Sequence, residues 1–206
     1  TYGFTCNGTD STAQLYACSV TGVVAAKYIT WFQATQACLN AGKYLVTNEE
    51  WQDAAAGTPD PGSWPDPTTC SSAVTAGKCN TCSGGPRNTG MAWSGTFSTS
   101  CMSRFGAYDM VGNLWEWTRG WNLHGGAASP DGSQTATEFN GDGYWNVEKA
   151  EGTGTYDGTA NKAAFPAAAL RGGDWTSGAQ AGVFALTLDY APSNWYASVG
   201  FRCARK

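Results

Sequence analysis

The chain reads as an α+β fold, loop-rich, with helices early and strands late. Three observations predict it. Thr30 with Gln33, and Thr47 with Glu50, form two capping boxes, each opening a short segment with an apolar face. Apolar runs of strand length follow at about 170–175, 183–188 and 199–204. Residues 57–104 and 122–165 are dense in turn-forming residues and keep no period of 2 or 3.6.

Residues 1–27 form a polar N-terminal extension with little core of its own, and Cys6 with Cys18 makes the simplest local clip for it. The first helix starts after Ile29-Thr30. Trp31, Ala34, Cys38 and Leu39 fall on one face, and Gly42 supplies the stop. The second helix covers Glu49 to Ala56 with Trp51 facing inward, joined to the first by Lys43-Tyr-Leu-Val46. A loop as long as 57–104 needs pinning, and Cys70, Cys79, Cys82 and Cys101 lie within it. Cys79-Asn-Thr-Cys82 also has zinc-ligand spacing. An even count of eight cysteines favours disulfides and an oxidising compartment. The one histidine, His124, cannot complete the common mixed Cys/His site, and it sits in a Gly-rich loop with no catalytic partner nearby in sequence. Residues 105–121 turn apolar again.

A length of 206 residues suits one domain spanning 1–206, and ten tryptophans suffice for its core. A charged fraction of 14% with 27 glycines reads as compact and loop-rich rather than disordered. Net charge is −4 with scattered basic residues, which excludes a nucleic-acid footprint. No run approaches the ~18 apolar residues of a membrane span, and no basic-then-apolar leader follows Thr1. No serine sits in a nucleophile elbow, and no glycine loop is built to cradle phosphate. Asn140-Gly-Asp-Gly143 reads as a plain turn, and Asn7-Gly-Thr9 matches the short glycosylation acceptor pattern.

Three blocks align with one family. Residues 29–51, residues 105–117 (Phe105-Gly-Ala-Tyr-Asp-Met-Val-Gly-Asn-Leu-Trp-Glu-Trp117), and Leu170-Arg-Gly-Gly-Asp-Trp175 with Gly200-Phe-Arg-Cys203 resemble the formylglycine-generating enzyme (sulfatase-modifying factor) family. The resemblance implies a variant of the C-type lectin fold, with two helices around small antiparallel sheets. It implies a disulfide between Cys38 and Cys203. It also implies a structural calcium ion held by Asp109, Gly112, Leu114 and Glu116, whose hard oxygens suit that ion. The family's two copper-binding cysteines map onto Ala179 and Phe184, so neither copper nor its oxidative chemistry is expected here. The sugar-binding triplets Glu-Pro-Asn, Gln-Pro-Asp and Trp-Asn-Asp of calcium-dependent lectins are absent.

Within this fold, Ala179 to Asn194 resembles the variable region of proteins diversified by diversity-generating retroelements, which rewrite adenines near a gene's 3′ end. The resemblance makes residues 170–206 a C-terminal variable-type region. It implies a scaffold of Gly172, Trp175, Gly182, Val183, Phe184, Leu186, Leu188, Gly200 and Phe201. It implies diversified, exposed positions at Asp174, Thr176, Ser177, Gln180, Thr187, Asp189, Tyr190, Trp195, Tyr196, Ala197 and Ser198. Tryptophan does not arise from an asparagine codon by adenine changes alone, so Trp195 comes from another template codon or is fixed. Aromatic anchors (Tyr190, Trp195, Tyr196) among adaptable polar groups suit recognition rather than catalysis.

The expected function is therefore a non-enzymatic receptor-type protein that binds a protein or cell-surface ligand, outside the cell or on a virus particle. It is not expected to enter membranes or bind nucleic acid, and its oligomeric state is not read from the sequence. The alternatives are an enzyme of the same superfamily using residues other than cysteine, and an adhesin whose terminal face is invariant.

Overall fold

A computed structural model describes residues 15–20, 22–59, 79–90, 101–122, 138–139, 145–146 and 167–206. Both hydroxyl caps form. Helix α1 spans Trp31–Asn40; Thr30 Oγ1 accepts the Gln33 N–H at 3.2 Å and Gln33 Oε1 accepts the Thr30 N–H at 3.0 Å. Helix α2 spans Asn48–Ala55, with the same reciprocal pair between Thr47 and Glu50 at 3.2 and 3.0 Å. Each box satisfies two donors that a helix start leaves open. At the end of α1, Gly42 takes a left-handed φ of 68°, its N–H donates to Leu39 O, and the Lys43 N–H donates to Cys38 O. That pair of bonds is a Schellman stop, which favours glycine at this position.

Ala34, Ala37 and Cys38 are buried on α1, and Trp51 and Ala55 on α2. Leu39 corrects the sequence expectation: it is 55% exposed, because Ala37 takes the place beside Ala34 and Cys38 that Leu39 was assigned.

Strand β1 is Tyr44–Leu45, β2 Trp115–Asn122, β3 Glu138–Phe139, β4 Trp145–Asn146, β5 Ala167–Gly172, β6 Gly182–Tyr190, β7 Val199–Phe201 and β8 Cys203–Ala204. Six of them form one sheet in the order β4-β3-β6-β5-β2-β7, and β1 pairs with β8. The sheet is mixed rather than purely antiparallel, since β7 runs parallel to β2 with Trp115 opposite Val199. The run expected at 170–175 ends as a strand at Gly172. Gly172 and Gly173 both have positive φ, and a Cβ on Gly172 would stand 2.8 Å from Met110 O. The run at 199–204 breaks at Arg202, so its two halves join different sheets.

The main core gathers Ile29, Ala34, Cys38, Leu45, Trp117, Leu170, Ala185 and Val199 between α1 and the sheet. Trp51, Met110, Val46 and Ala55 form a second cluster under α2. Each of three tryptophans finds an acceptor for its indole N–H: Trp117 at Ile29 O (2.9 Å), Trp31 at Thr118 O (2.7 Å) and Trp51 at Glu116 Oε2 (2.7 Å).

Cys38 pairs with Cys203, tying α1 to the last strand across 165 residues of sequence. Cys79 pairs with Cys101, and Cys18 and Cys82 are also disulfide-bonded. Cys6 and Cys70 lie outside the described residues. With Cys79, Cys82 and Cys101 all oxidised, the zinc alternative has lost its thiolate ligands.

Leu170 is fully buried and Leu39 is not. Denaturant unfolding should show Leu170→Ala losing about 2–5 kcal/mol and Leu39→Ala staying within about 0.5 kcal/mol of the parent.

Candidate binding surface

The terminal region begins with a turn that fastens itself. Asp174 Oδ1 accepts the Thr176 N–H and the Thr176 hydroxyl, each at 2.8 Å, and the Ser177 hydroxyl at 3.1 Å. Ser177 Oγ in turn accepts the Asp174 N–H at 2.9 Å. This is a short-range Asx/Ser network of the kind that replaces helix or ladder bonds in tight turns. A 3-10 turn over Gly178–Gln180 follows. The Gly178 N–H donates to Thr81 O at 2.7 Å and the Ser83 N–H to Trp175 O at 2.8 Å. The turn thus docks on the segment that the Cys79–Cys101 bridge holds.

Two expectations change here. Asp174 is 8% exposed and its carboxylate is engaged inside the turn, so it is not a free contact; Ser177 is half-buried in the same network. Thr176 and Gln180 are exposed.

Strand β6 brings a larger correction. Ala185 and Thr187 are buried, Leu186 and Leu188 half-buried, and Phe184 is 52% exposed. Side chains alternate along a strand, so Thr187 shares a face with Ala185 while Phe184, Leu186 and Leu188 share the other. Thr187, opposite Leu170 on β5, belongs to the packed face. Phe184, expected as scaffold, stands in the open. Of Asp189 only the backbone is described.

Residues 191–198 are held through main-chain atoms. The Trp31 N–H donates to Pro192 O at 3.0 Å, the Tyr28 N–H to Tyr196 O at 3.0 Å, and the Trp115 N–H to Ser198 O at 2.8 Å. Inside the segment, the Asn194 N–H reaches Ala191 O at 2.9 Å and the Val199 N–H reaches Tyr196 O at 3.2 Å. None of these bonds uses a side chain of the segment.

The three aromatic anchors part company. Tyr190 and Tyr196 meet edge-on at 5.4 Å between centroids and pack against the main core, half-buried. Trp195 is 60% exposed and meets Tyr28 edge-on at 5.7 Å. Ala197 and Ser198 are half-buried. The expected positions therefore form local groups: Asp174 with Thr176 and Ser177, Tyr190 with Tyr196, and Trp195 with a residue outside the region. Gly182 pairs with Gly172 while Tyr190 pairs with Ala168, so the turn and Tyr190 stand apart by four steps of β5, about 13 Å of strand rise, and two register shifts take up the extra residues of β6.

Of the residues implied for calcium, Glu116 is bonded to another cation, Arg202. Arg202 pairs with both carboxylate oxygens of Glu116 and donates to Tyr108 O at 3.1 Å. Trp51 Nε1 supplies a further bond to Glu116 Oε2. Gly112 O accepts the Leu114 N–H at 2.8 Å. Calcium takes six to eight oxygens, and here the Glu116 carboxylate already neutralises a guanidinium. As arranged, Asp109, Gly112, Leu114 and Glu116 do not fit the ion. The Gly112-Asn113 step has a different task. Asn113 Oδ1 accepts from Asn80 Nδ2 (3.0 Å) and the Arg87 N–H (2.8 Å), and the Gly112 N–H donates to Gly172 O (3.1 Å). A Cβ on Gly112 would lie 2.4 Å from Asn80 O, at a φ of 73°.

Burial pushes the Asp109 carboxyl up to about 6; the Gly90 N–H at 2.9 Å and Arg202 only partly offset it. Burial also brings the Arg171 guanidinium down to about 10, with Glu49 opposing. Arg171 stacks 4.8 Å over Trp51 and bonds to Gln52 and to Val183 O. The sequence reading passed over Tyr28, Lys27 and Arg171. Tyr28 carries no local signal beyond its place just before the first cap.

His124 and the Asn140–Gly143 turn lie outside the described residues, as does Asn7-Gly-Thr9. Among the described residues no helix is long and apolar enough to cross a membrane.

The description of the sulfatase-modifying factor enzyme 1-like domain matches residues 23–206. Among solved structures, the chain is similar to the Major Tropism Determinant P3c variant (23% identity, TM-score 0.51) and M1 variant (22%, 0.51). Each match covers 84% of this chain and 36% of the other, so the chain spans about a third of those proteins' length. PvdO from Pseudomonas aeruginosa is similar at 21% identity, with a TM-score of 0.44 over 88% of this chain and 61% of that one. No curated protein sequence matches. The fold is accordingly the C-type lectin-like one of this family.

Asp109 sets a pH dependence. Its folded value of about 6 lies above the ordinary 3.8, so between those values the folded state holds the extra proton. Stability should fall as pH rises from about 4 to 6, by up to about 3 kcal/mol from this group. Melting curves across that range should show the fall flattened in Asp109→Asn. Asp174→Ala should cost about 1–3 kcal/mol by leaving turn donors unpaired, and Gln180→Ala about 0.5 kcal/mol or less.

Proposed function

The chain belongs to the sulfatase-modifying factor enzyme 1-like family, and from that premise we propose that it is a non-catalytic ligand-binding protein with a retroelement-diversified terminal face. The observation that carries the reading is the main-chain fastening of residues 191–198 by Tyr28, Trp31 and Trp115. A segment held by backbone donors keeps its path when its side chains change. Exposed positions such as Thr176, Gln180 and Trp195 then vary at little cost.

The chemistry of the site supports binding over catalysis. The places of the family's copper ligands hold Ala179 and Phe184, and every described cysteine is in a disulfide. No thiolate is left among them to ligate a soft metal or attack a substrate. Two structural neighbours are named as variants of a tropism determinant, which fits a face that differs between copies and selects a target. Disulfides fit an extracellular or virion setting.

The diversified set is narrower in practice than the sequence pattern. Asp174 and Thr187 support the fold, so substitutions there are paid in stability. Thr176, Gln180, Trp195, Ala197 and Ser198 are the freer positions.

The source genome should hold a near-identical repeat of the segment encoding residues 170–206 beside a reverse-transcriptase gene, differing at adenines. Genome sequencing that finds no such repeat rejects the diversification reading. Replacing Thr176, Gln180 and Ala197 together should leave the melting temperature within about 4 °C of the parent. A loss several times larger, read by calorimetry, would show that the face is not tolerant.

A further inference from the structure

The 174–180 turn sits on a segment fixed by a disulfide, and that disulfide packs beneath the residues that follow the turn. We infer that the Cys79–Cys101 bridge is a redox lock on the turn end of the binding face: the turn seats only after the two thiols are oxidised, and once seated it seals the bridge from reductant. The inference rests on the binding reading above, since Thr176 and Gln180 are the exposed positions that the turn presents.

The seat is made of main-chain atoms. Thr81 O accepts the Gly178 N–H at 2.7 Å, and the Ser83 N–H donates to Trp175 O at 2.8 Å. Thr81 and Ser83 flank Cys82, itself in a disulfide, and follow closely on Cys79. Residues 79–87 contain no helix or strand, so no ladder of their own fixes where those two groups point. Their position comes from cross-links. The Cys79–Cys101 bond closes a separation of 22 residues, and the Asp109 N–H donates to Cys101 O at 3.1 Å. Asn113 is a rival support: its N–H donates to Asn80 O at 2.7 Å, and its Oδ1 accepts from Asn80 Nδ2 at 3.0 Å.

The packing sets the order of events. Cys79, Cys101, Val111 and Ala181 form one buried cluster, with Val183 against it. Ala181 and Val183 belong to the terminal region, just past the turn. Cys79 is 2% exposed and Cys101 3%. Thiol–disulfide exchange needs a thiolate in contact with a sulfur, and the seated turn leaves no approach. Formation and reduction of the bond therefore both belong to the state in which the turn is away. Two unbonded sulfurs also need more room than a bonded pair, and this neighbourhood has little to give: a Cβ on Gly173 would stand 2.7 Å from Ala181 Cα.

The oxidant is a disulfide, R–S–S–R. One of the two protein thiolates attacks it, forming a mixed disulfide and releasing one R–S⁻. The other then attacks the protein sulfur of that mixed disulfide, and the second R–S⁻ leaves. Two electrons pass from the protein to the oxidant, and the two thiol protons end on two R–SH. In a reducing compartment the chain carries the turn end of its face unseated; in an oxidising one it carries it closed. The 191–198 end does not depend on this bridge, because Tyr28, Trp31 and Trp115 hold it.

The test reads amide hydrogen exchange in the full chain at 174–182 and at 191–198. With Cys79→Ser and Cys101→Ser together, protection at 174–182 should fall roughly tenfold or more while that at 191–198 stays. Unchanged protection at 174–182 overturns the inference and leaves Asn113 as the sufficient support. Equal loss at both ends also overturns it, making the bridge a staple of the whole fold. A second measurement needs no variant. The parent chain is reduced, refolded with oxidised glutathione, and sampled by alkylation and pulsed exchange. The Cys79–Cys101 bond should form before the Gly178 amide becomes protected; protection that comes first overturns the lock. None of these readings uses a ligand. The lock can thus fail with the diversified face intact, and a missing genomic repeat rejects that face without touching the lock.

Discussion

The pairing of Glu116 with Arg202 is the contact on which the architecture depends. Glu116 sits on β2 between Trp115 and Trp117, and Arg202 is the residue at which the terminal strand leaves one sheet for the other. Trp51 of α2 donates to the same carboxylate, and Arg202 also reaches Tyr108 O. One ion pair thereby joins the second helix, the central strand, the loop before it and the chain's last residues. Burial alone would push the Arg202 guanidinium down, and the Glu116 and Asp109 charges together raise it on balance. Removing one partner of such a pair strands the other charge, which costs about 3–5 kcal/mol. The next residue, Cys203, is bound to Cys38, so a covalent tie stands beside the electrostatic one.

Around that centre the terminal region uses two kinds of support. At the 174–180 turn, side chains do the holding: Asp174, Thr176 and Ser177 bond to one another and to their own backbone. At 191–198, the main chain does it, with donors from Tyr28, Trp31 and Trp115. The difference decides where sequence can change. The turn is sensitive above all to its central carboxylate, Asp174, whereas at 191–198 the constraint falls on a side chain packed against the core, that of Tyr196.

How much of this was legible in the sequence follows the range of each interaction. The caps at Thr30 and Thr47, the stop at Gly42 and the inward Trp51 depend on neighbours within a few residues, and pattern alone located them. For β6, the resemblance implied a scaffold role for Phe184, Leu186 and Leu188, yet Phe184 is exposed and the two leucines are only half-buried. The packed face in fact belongs to the smaller Ala185 and Thr187, both buried, with Thr187 opposite Leu170 of β5. The strand at Trp115–Asn122 was seen only as an apolar stretch, since its partners β5 and β7 lie far along the chain. The reading of Glu116 as a calcium ligand took no account of Arg202, 86 positions away, because nothing local shows that the two side chains meet. The partnership of Tyr28 with Trp195 is likewise a product of the tertiary fold.

The positions of the three donors that hold residues 191–198 carry one more consequence. Tyr28, Trp31 and Trp115 all stand upstream of residue 170. Any process that rewrites only the end of the gene leaves its own latch untouched. Such rewriting would inherit the same upstream donors in every copy, and its cost in folding would be confined to packed positions such as Asp174 and Thr187.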